Sequence, residues 1–316
     1  VGTTTRASGG FGLRNSQTLD GNELFQPRVG FNYTFDTERQ TQLRGGVGLF
    51  EGAAANVWLS NPYSNTGIAT RVVGCGISGF AACPTTDGLF NPDPNNQVTS
   101  FAGAVPAANV DFLSEDLEQP SVWKANLAFE HELPWYGIVG SAEVLMSKVK
   151  TALFYRNLNL GAPTLEGQDG RDLFWNPTNV GRSWSSSNNR FNRNRAFDTV
   201  YLLDTTDEGS TQQFTVSLNK PWSAESDWSW FLGYTYTDAE EVSGLTSSTA
   251  SSGWNYNYLF DANEEVAATS RYEIRDRISG QLNWKHAFFG DYETRVGLVY
   301  EGRSGRPYSW VYFNDV

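Results

Sequence analysis

The sequence predicts an all-β protein, an antiparallel meander of long strands forming part of a transmembrane β-barrel, and three observations predict it. First, stretches alternate apolar and polar residues at period two, as Trp228, Trp230, Leu232, Tyr234 and Tyr236 do against Ser229, Gly233, Thr235 and Thr237. Second, the apolar face is crowned with Trp and Tyr, while the polar face carries charge almost to the strand ends over about 10 residues, the length of a membrane strand. Third, short and long connections alternate strictly, as in barrels with tight turns at one rim and loops at the other. A soluble β-sandwich also alternates, because one face covers a core, but its Greek-key crossings seldom space the connections so regularly.

The elements follow in order. A first strand is expected over residues 26–35, with Val29, Phe31, Tyr33 and Phe35 outward, and a second over 41–50, with Leu43, Gly45, Val47 and Leu49 outward. A long excursion over 51–120, rich in Asn, Pro, Gly and Ala, precedes a third strand at 121–132. After a turn at 133–137 the fourth runs from Ile138 to about Asn159, and its parity shifts near Lys148 to Lys150, as a β-bulge would cause. A second long loop, 160–209, contains a local pairing segment at 200–203. Strands five and six, 213–220 and 227–239, flank a turn at 221–226, and a third long loop covers 240–270. Strands seven and eight, 271–286 and 292–301, flank a turn at 287–291, and a further strand begins at Tyr308.

Composition agrees. The 316 residues include 31 Gly, 11 Trp, 14 Tyr and 20 Phe, yet mean hydropathy is −0.43, as expected where apolar residues occupy alternate positions. No run of about 20 apolar residues offers a membrane helix. The net charge of −12 is spread along the chain, which excludes a nucleic-acid partner, because phosphates need a basic stripe. Cys75 and Cys83 flank a Gly-containing loop and suit a disulfide in an oxidising compartment; two free thiols or half of a metal site are the alternatives. Residues 1–10 contain no apolar signal run, so the chain is expected to begin partway into a longer protein.

The segments Phe25-Gln26-Pro27-Arg28-Val29-Gly30-Phe31-Asn32-Tyr33 and Leu43-Arg44-Gly45-Gly46-Val47-Gly48-Leu49-Phe50 resemble barrel strands of TonB-dependent outer-membrane receptors, in particular the Oar-like group. So do Tyr155-Arg156-Asn157-Leu158-Asn159-Leu160, Leu218-Asn219-Lys220-Pro221, Tyr234-Thr235-Tyr236-Thr237-Asp238-Ala239 and the run from Tyr300 to Ser309. Asp276-Arg277 stands where the resemblance leads us to expect His-Arg. The resemblance implies a location in the bacterial outer membrane and a barrel of about 22 strands around a plug domain. It also implies energising through a TonB box, and import or export of peptides or proteins, oligosaccharides or metal chelates too large for porins. This chain holds about eight or nine of those strands, without plug or TonB box, and so reads as an internal segment, 1–316 being a partial barrel domain. Its implied partners are the bilayer, lipopolysaccharide, the plug and the TonB complex, with an extracellular substrate. An isolated segment of this kind is expected not to refold into a closed monomeric barrel, because its edge strands stay unpaired.

No catalytic constellation emerges. Gly302-Arg303-Ser304-Gly305 misses the Gly-x-Ser-x-Gly spacing of a serine hydrolase elbow, and His131 and His286 stand apart. We therefore expect a non-enzyme without a cofactor. Asp93, Asn95 and Asn96, or Asp261, Asn263, Glu264 and Glu265, offer oxygen ligands, but neither run has EF-hand spacing, and no metal site is assigned. Binding is expected in the loops. Trp254, Tyr256 and Tyr258 alternate with Asn255 and Asn257, as stacking surfaces for sugars or peptides, or as an aromatic girdle or hairpin extension. Arg182, Arg190, Arg193 and Arg195 form a basic cluster that either grips substrate carboxylate or phosphate or simply balances nearby acids. Arg28 and Arg44 are expected on the lumenal face, touching a plug or substrate or pairing with lumenal carboxylates. An adhesin that displays its loops without transport is the alternative function.

Overall fold

Residues 10–67, 93–96, 107–179 and 190–311 are described by a computed structural model. The wall of the molecule is an antiparallel sheet of β1 (Arg28–Thr34), β2 (Thr41–Glu51), β4 (Ser121–Glu132), β5 (Val139–Asn157), β9 (Gly209–Lys220), β10 (Trp228–Glu241), β12 (Asp276–Phe289) and β13 (Tyr292–Arg303), paired in that order. The remaining elements belong to the long connections: α1 (Asn56–Ser64), β3 (Ala108–Leu113), β6 (Leu165–Glu166), β7 (Asp172–Leu173), β8 (Phe197–Thr206), α2 (Ala250–Asn255) and β11 (Ala268–Thr269). All eight expected strands are present. The further strand expected from Tyr308 is not formed over 308–311, the part of it that is described.

Side-chain parity is kept across the whole wall. Tyr33, Leu43, Phe129, Ala142, Val216, Tyr234 and Ile278 are consecutive partners from β1 to β12, so one face of the sheet is continuously apolar. Those rings and aliphatic chains are largely exposed, with Val29, Leu232 and Leu298 at 72%, 50% and 63%. In water so broad an apolar surface would aggregate; in lipid it is the favoured outer face.

The upper limit of the apolar band drifts steadily along the wall. On β2, β4, β5, β9, β10 and β12 the last apolar outward residues are Leu49, Trp123, Met146, Phe214, Tyr236 and Ile278. Ile278 traces back through its register partners to Leu43, six positions short of Leu49, over five strand steps. At about 3.4 Å per residue and 4.8 Å between strands this drift is a tilt of about 40°, within the range of roughly 35–45° that barrel closure imposes. Trp228 and Tyr236 bound the band on β10 about 27 Å apart along the strand. That is about 21 Å along the membrane normal, close to the ~25 Å apolar belt of such barrels. Trp135, Tyr136, Trp222, Trp284, Phe288 and Tyr292 crowd the short-turn rim, as an interfacial girdle does.

The turns at that rim are tight because the chain supplies left-handed residues. Tyr136 and Gly137 (φ 53° and 63°) close β4–β5, where Ile138 and Leu133 bond across the turn, and Gly290 (φ 57°) closes β12–β13.

At the opposite rim the long connections fold together into a roof. The bulge expected in β5 lies at Lys150, where Ser121 pairs with Thr151 and Val122 with Val149. Beyond it, β5 leaves the wall and pairs with β8, while β8 pairs in parallel with β3. The roof sheet is covered on both faces. Leu113, Leu153, Tyr155, Tyr201, Leu203, Phe174 and Trp254 fill one side, and Val110, Phe112, Phe197 and Val200 the other. This packed core was not expected from the sequence, which marked only residues 200–203 as locally paired.

Candidate substrate-binding surfaces

Two surfaces are placed to meet a solute: the inner face of the wall and the solvent side of the roof. The inner face carries most of the polar and charged side chains of the wall, interrupted by single apolar residues such as Phe50, Leu145 and Phe231. Arg44 pairs with Glu130 at 2.5 Å, and Asn126 donates to Glu143 at 3.2 Å. Arg28 donates to Gln26 at 2.8 Å, and its guanidinium lies 4.4 Å from the centre of the Phe50 ring. Of the two lumenal arginines named from the sequence, Arg44 is held by a carboxylate, whereas Arg28 rests on an amide and a ring. Thr215 and Thr235, Ser141 and Ser217, and Asn283 and Ser229 bond across neighbouring strands, giving a fixed hydrogen-bonding surface rather than a filled interior.

The roof divides the loop residues singled out from the sequence into two groups. Trp254 is not a stacking platform: it lies in α2, is 9% exposed, donates from Nε1 to Asn263 Oδ1 at 2.9 Å, and tilts against Tyr201 at 5.8 Å. Arg190 is brought to the same place, its guanidinium 5.0 Å from the Trp254 ring centre, and burial lowers its pKa. The pair is an internal clamp of the roof. Arg193 is exposed, 6.0 Å from the Phe11 ring centre, and Arg195 is exposed. Arg182, Cys75 and Cys83 lie outside the described residues.

Tyr256 and Tyr258 do face solvent, at 57% and 48% exposure. Sequence reasoning stopped there and missed two neighbours. Phe260 continues the same alternation and stands 5.9 Å from Arg171; Tyr272 stands 5.7 Å from Arg306. The exposed rings of Tyr256, Tyr258, Phe260 and Tyr272, the last two beside arginines, make the roof's aromatic surface. The run from Asp261 to Glu265 is instead consumed in stapling. Asp261 accepts from the Asp172 amide, Asn263 from Trp254 and the Asn157 amide, and Glu265 pairs with Arg156 at 2.7 Å. Among the described residues no group of three or more His, Cys, Asp or Glu could hold a metal ion.

One carboxyl in the roof is chemically unusual. Asp111 is 2% exposed on the face of β3 that looks toward Tyr155 and Tyr201, and accepts from Asn65 Nδ2 at 2.7 Å. Burial pushes its pKa up to about 6, and the Asn65 bond offsets that only in part.

A tilted apolar wall, aromatic rims and a polar inner face match one known family. The model of the outer membrane beta barrel domain matches residues 3–300. The chain belongs to this family. No curated protein matches it significantly. As an outer membrane beta barrel domain, the chain resides in the bacterial outer membrane, and its open wall is read accordingly: among the described residues β1 and β13 each pair along one edge only.

Proposed function

We propose that this chain is part of the wall of a TonB-dependent receptor, which binds a substrate too large for porins at the roof and admits it through the lumen. Peptides, oligosaccharides and metal chelates are the substrate classes in view. The observation that carries the reading is the inner face. A closed barrel of eight strands has an interior just wide enough for side chains to fill, whereas here Arg28, Lys124, Gln281 and Glu301 remain exposed and the eight-stranded wall stays open. Such an arc suits a wide lumen, which in this class of barrel is closed by a plug and opened at the expense of energy. The short turns then face the periplasm, and the roof faces outside.

The test is uptake by cells carrying the intact protein, using fluorescent peptides, oligosaccharides and ferric chelates, with and without a protonophore. Energy-dependent accumulation of one class, lost when TonB is deleted, is the expected result. Surface binding with no energy-dependent uptake of any class would instead identify an adhesin and overturn the transport reading.

A further inference from the structure

The outer face carries a groove that the barrel wall itself does not need. Gly140 and Ala142 of β5 form a floor without bulk between Phe129 and His131 on one flank and Leu218 and Tyr234 on the other, enclosing about 720 Å³. The groove runs obliquely across the wall, from Gly140 and His131, next to the β4–β5 turn, to Tyr234 and Ile278 near the upper limit of the apolar band.

Lys220 lies just beyond the lining residue Leu218, toward the short-turn rim. It follows Leu218 by two residues on the same face of β9 and pairs with Trp230. It is only 8% exposed, and its Nζ donates to Ser226 Oγ at 2.8 Å and to the Trp228 carbonyl at 2.7 Å. Both acceptors are neutral, and among the described residues no carboxylate lies within ion-pairing distance of it. An ammonium has three N–H groups, and a shielded cation without an anion is an incomplete arrangement. On the opposite flank the His131 ring stacks on Phe129, with Nδ1 bonded to Thr41 Oγ1 at 2.8 Å.

We infer that this is a specific site for an anionic glycerophospholipid of the inner leaflet, with an acyl chain in the groove and the phosphate on Lys220. The chemistry decides the occupant: an apolar trough passes close to a shielded cation at headgroup depth, where lysine on the lipid face is cheap to place. The same phosphate-and-acyl chemistry belongs to the lipid anchor of lipopolysaccharide, but Lys220, the last residue of β9, stands at the short-turn rim, away from the roof.

The intact protein, reconstituted in phosphatidylcholine vesicles, is probed with chain-spin-labelled phosphatidylglycerol and phosphatidylcholine, and the motionally restricted fraction is measured. The expected result is an association about fivefold stronger for phosphatidylglycerol, the size of effect one interfacial lysine produces. K220M should bring the ratio close to one, and G140L, whose side chain fills the floor, should release restricted lipid of both kinds. Retained heat-modifiable mobility on gels verifies that each variant is folded. Equal association of the two lipids with the unmodified protein, or a preference that survives K220M, would overturn the inference. A stronger association of lipopolysaccharide than of phosphatidylglycerol would overturn the assignment to the inner leaflet.

Discussion

Replacing Asp111 by Asn should stabilise the roof at alkaline pH and leave it unchanged near pH 4. The carboxyl is surrounded by Asn65 from the segment after α1, Tyr155 from β5 and Tyr201 from β8, and among the described residues no cation reaches it in an ion pair. Its pKa is about 6 in the folded chain against an ordinary 3.8, so the folded state holds the proton more tightly than the unfolded one. The stabilisation is therefore fully present below about pH 4 and is lost as pH rises through about 6. The difference corresponds to about 3 kcal/mol, or roughly 100-fold in local opening. Asn at this position keeps an oxygen to accept from Asn65 and never ionises. Hydrogen exchange of the β3 and β8 amides in the lipid-embedded intact protein, corrected for intrinsic rates, reads the effect directly. Protection in the parent should fall between about pH 4 and 6 and level off above about 7, while D111N stays flat. A parent without pH dependence, or D111N less protected than the parent at pH 8, would refute the argument.

Three further outcomes are expected. W254A should cost about 3–5 kcal/mol, because it empties the roof core and strips Arg190 of its ring; limited proteolysis should then cut within 240–270. G253A should destabilise α2 by about 1–3 kcal/mol despite the higher helix propensity of Ala, since the new Cβ would lie 2.7 Å from Tyr155 Cδ2; thermal melts of the roof by near-ultraviolet circular dichroism check it. L232R, on the lipid face near the middle of the band, should cost about 2–4 kcal/mol in folding into bilayers, whereas T235R, three residues on and facing the lumen, should cost little; urea titration in lipid vesicles separates them, and equal penalties would contradict the facing.

The wall was legible because its signal is local and repeated. Ser121 to Glu132 was bounded correctly as one strand, since Trp123, Ala125, Leu127 and Phe129 alternate without interruption. The bulge at Lys150 was also visible, because it inverts parity. Boundaries slipped where alternation ends before pairing does. β9 begins at Gly209, but Gly209 to Gln212 lie above the apolar band and carry no outward apolar residue. β12 begins at Asp276 because the residues before it are held in a turn, with Arg271 bonded to Glu241 and the Ala239 amide to Glu273. The roof was illegible for a different reason: β3 pairs with β8 some 90 residues away in parallel, and a six-residue strand buried on both faces has no alternation to announce it. The same burial reversed the meaning of Trp254, whose spacing with Tyr256 and Tyr258 suggested one surface until α2 turned it inward.

The most direct test of a tilted wall between lipid and a wet lumen is a single-cysteine scan of β10 from Trp228 to Thr237 in outer membranes, on a background with Cys75 and Cys83 replaced. Nitroxide labels at each position are read for collisions with oxygen, which concentrates in lipid, and with a water-soluble nickel chelate. The account predicts strict alternation, with oxygen favoured at 230, 232, 234 and 236 and nickel at 229, 231, 233, 235 and 237. Nickel access at every position, or no alternation at all, would contradict it.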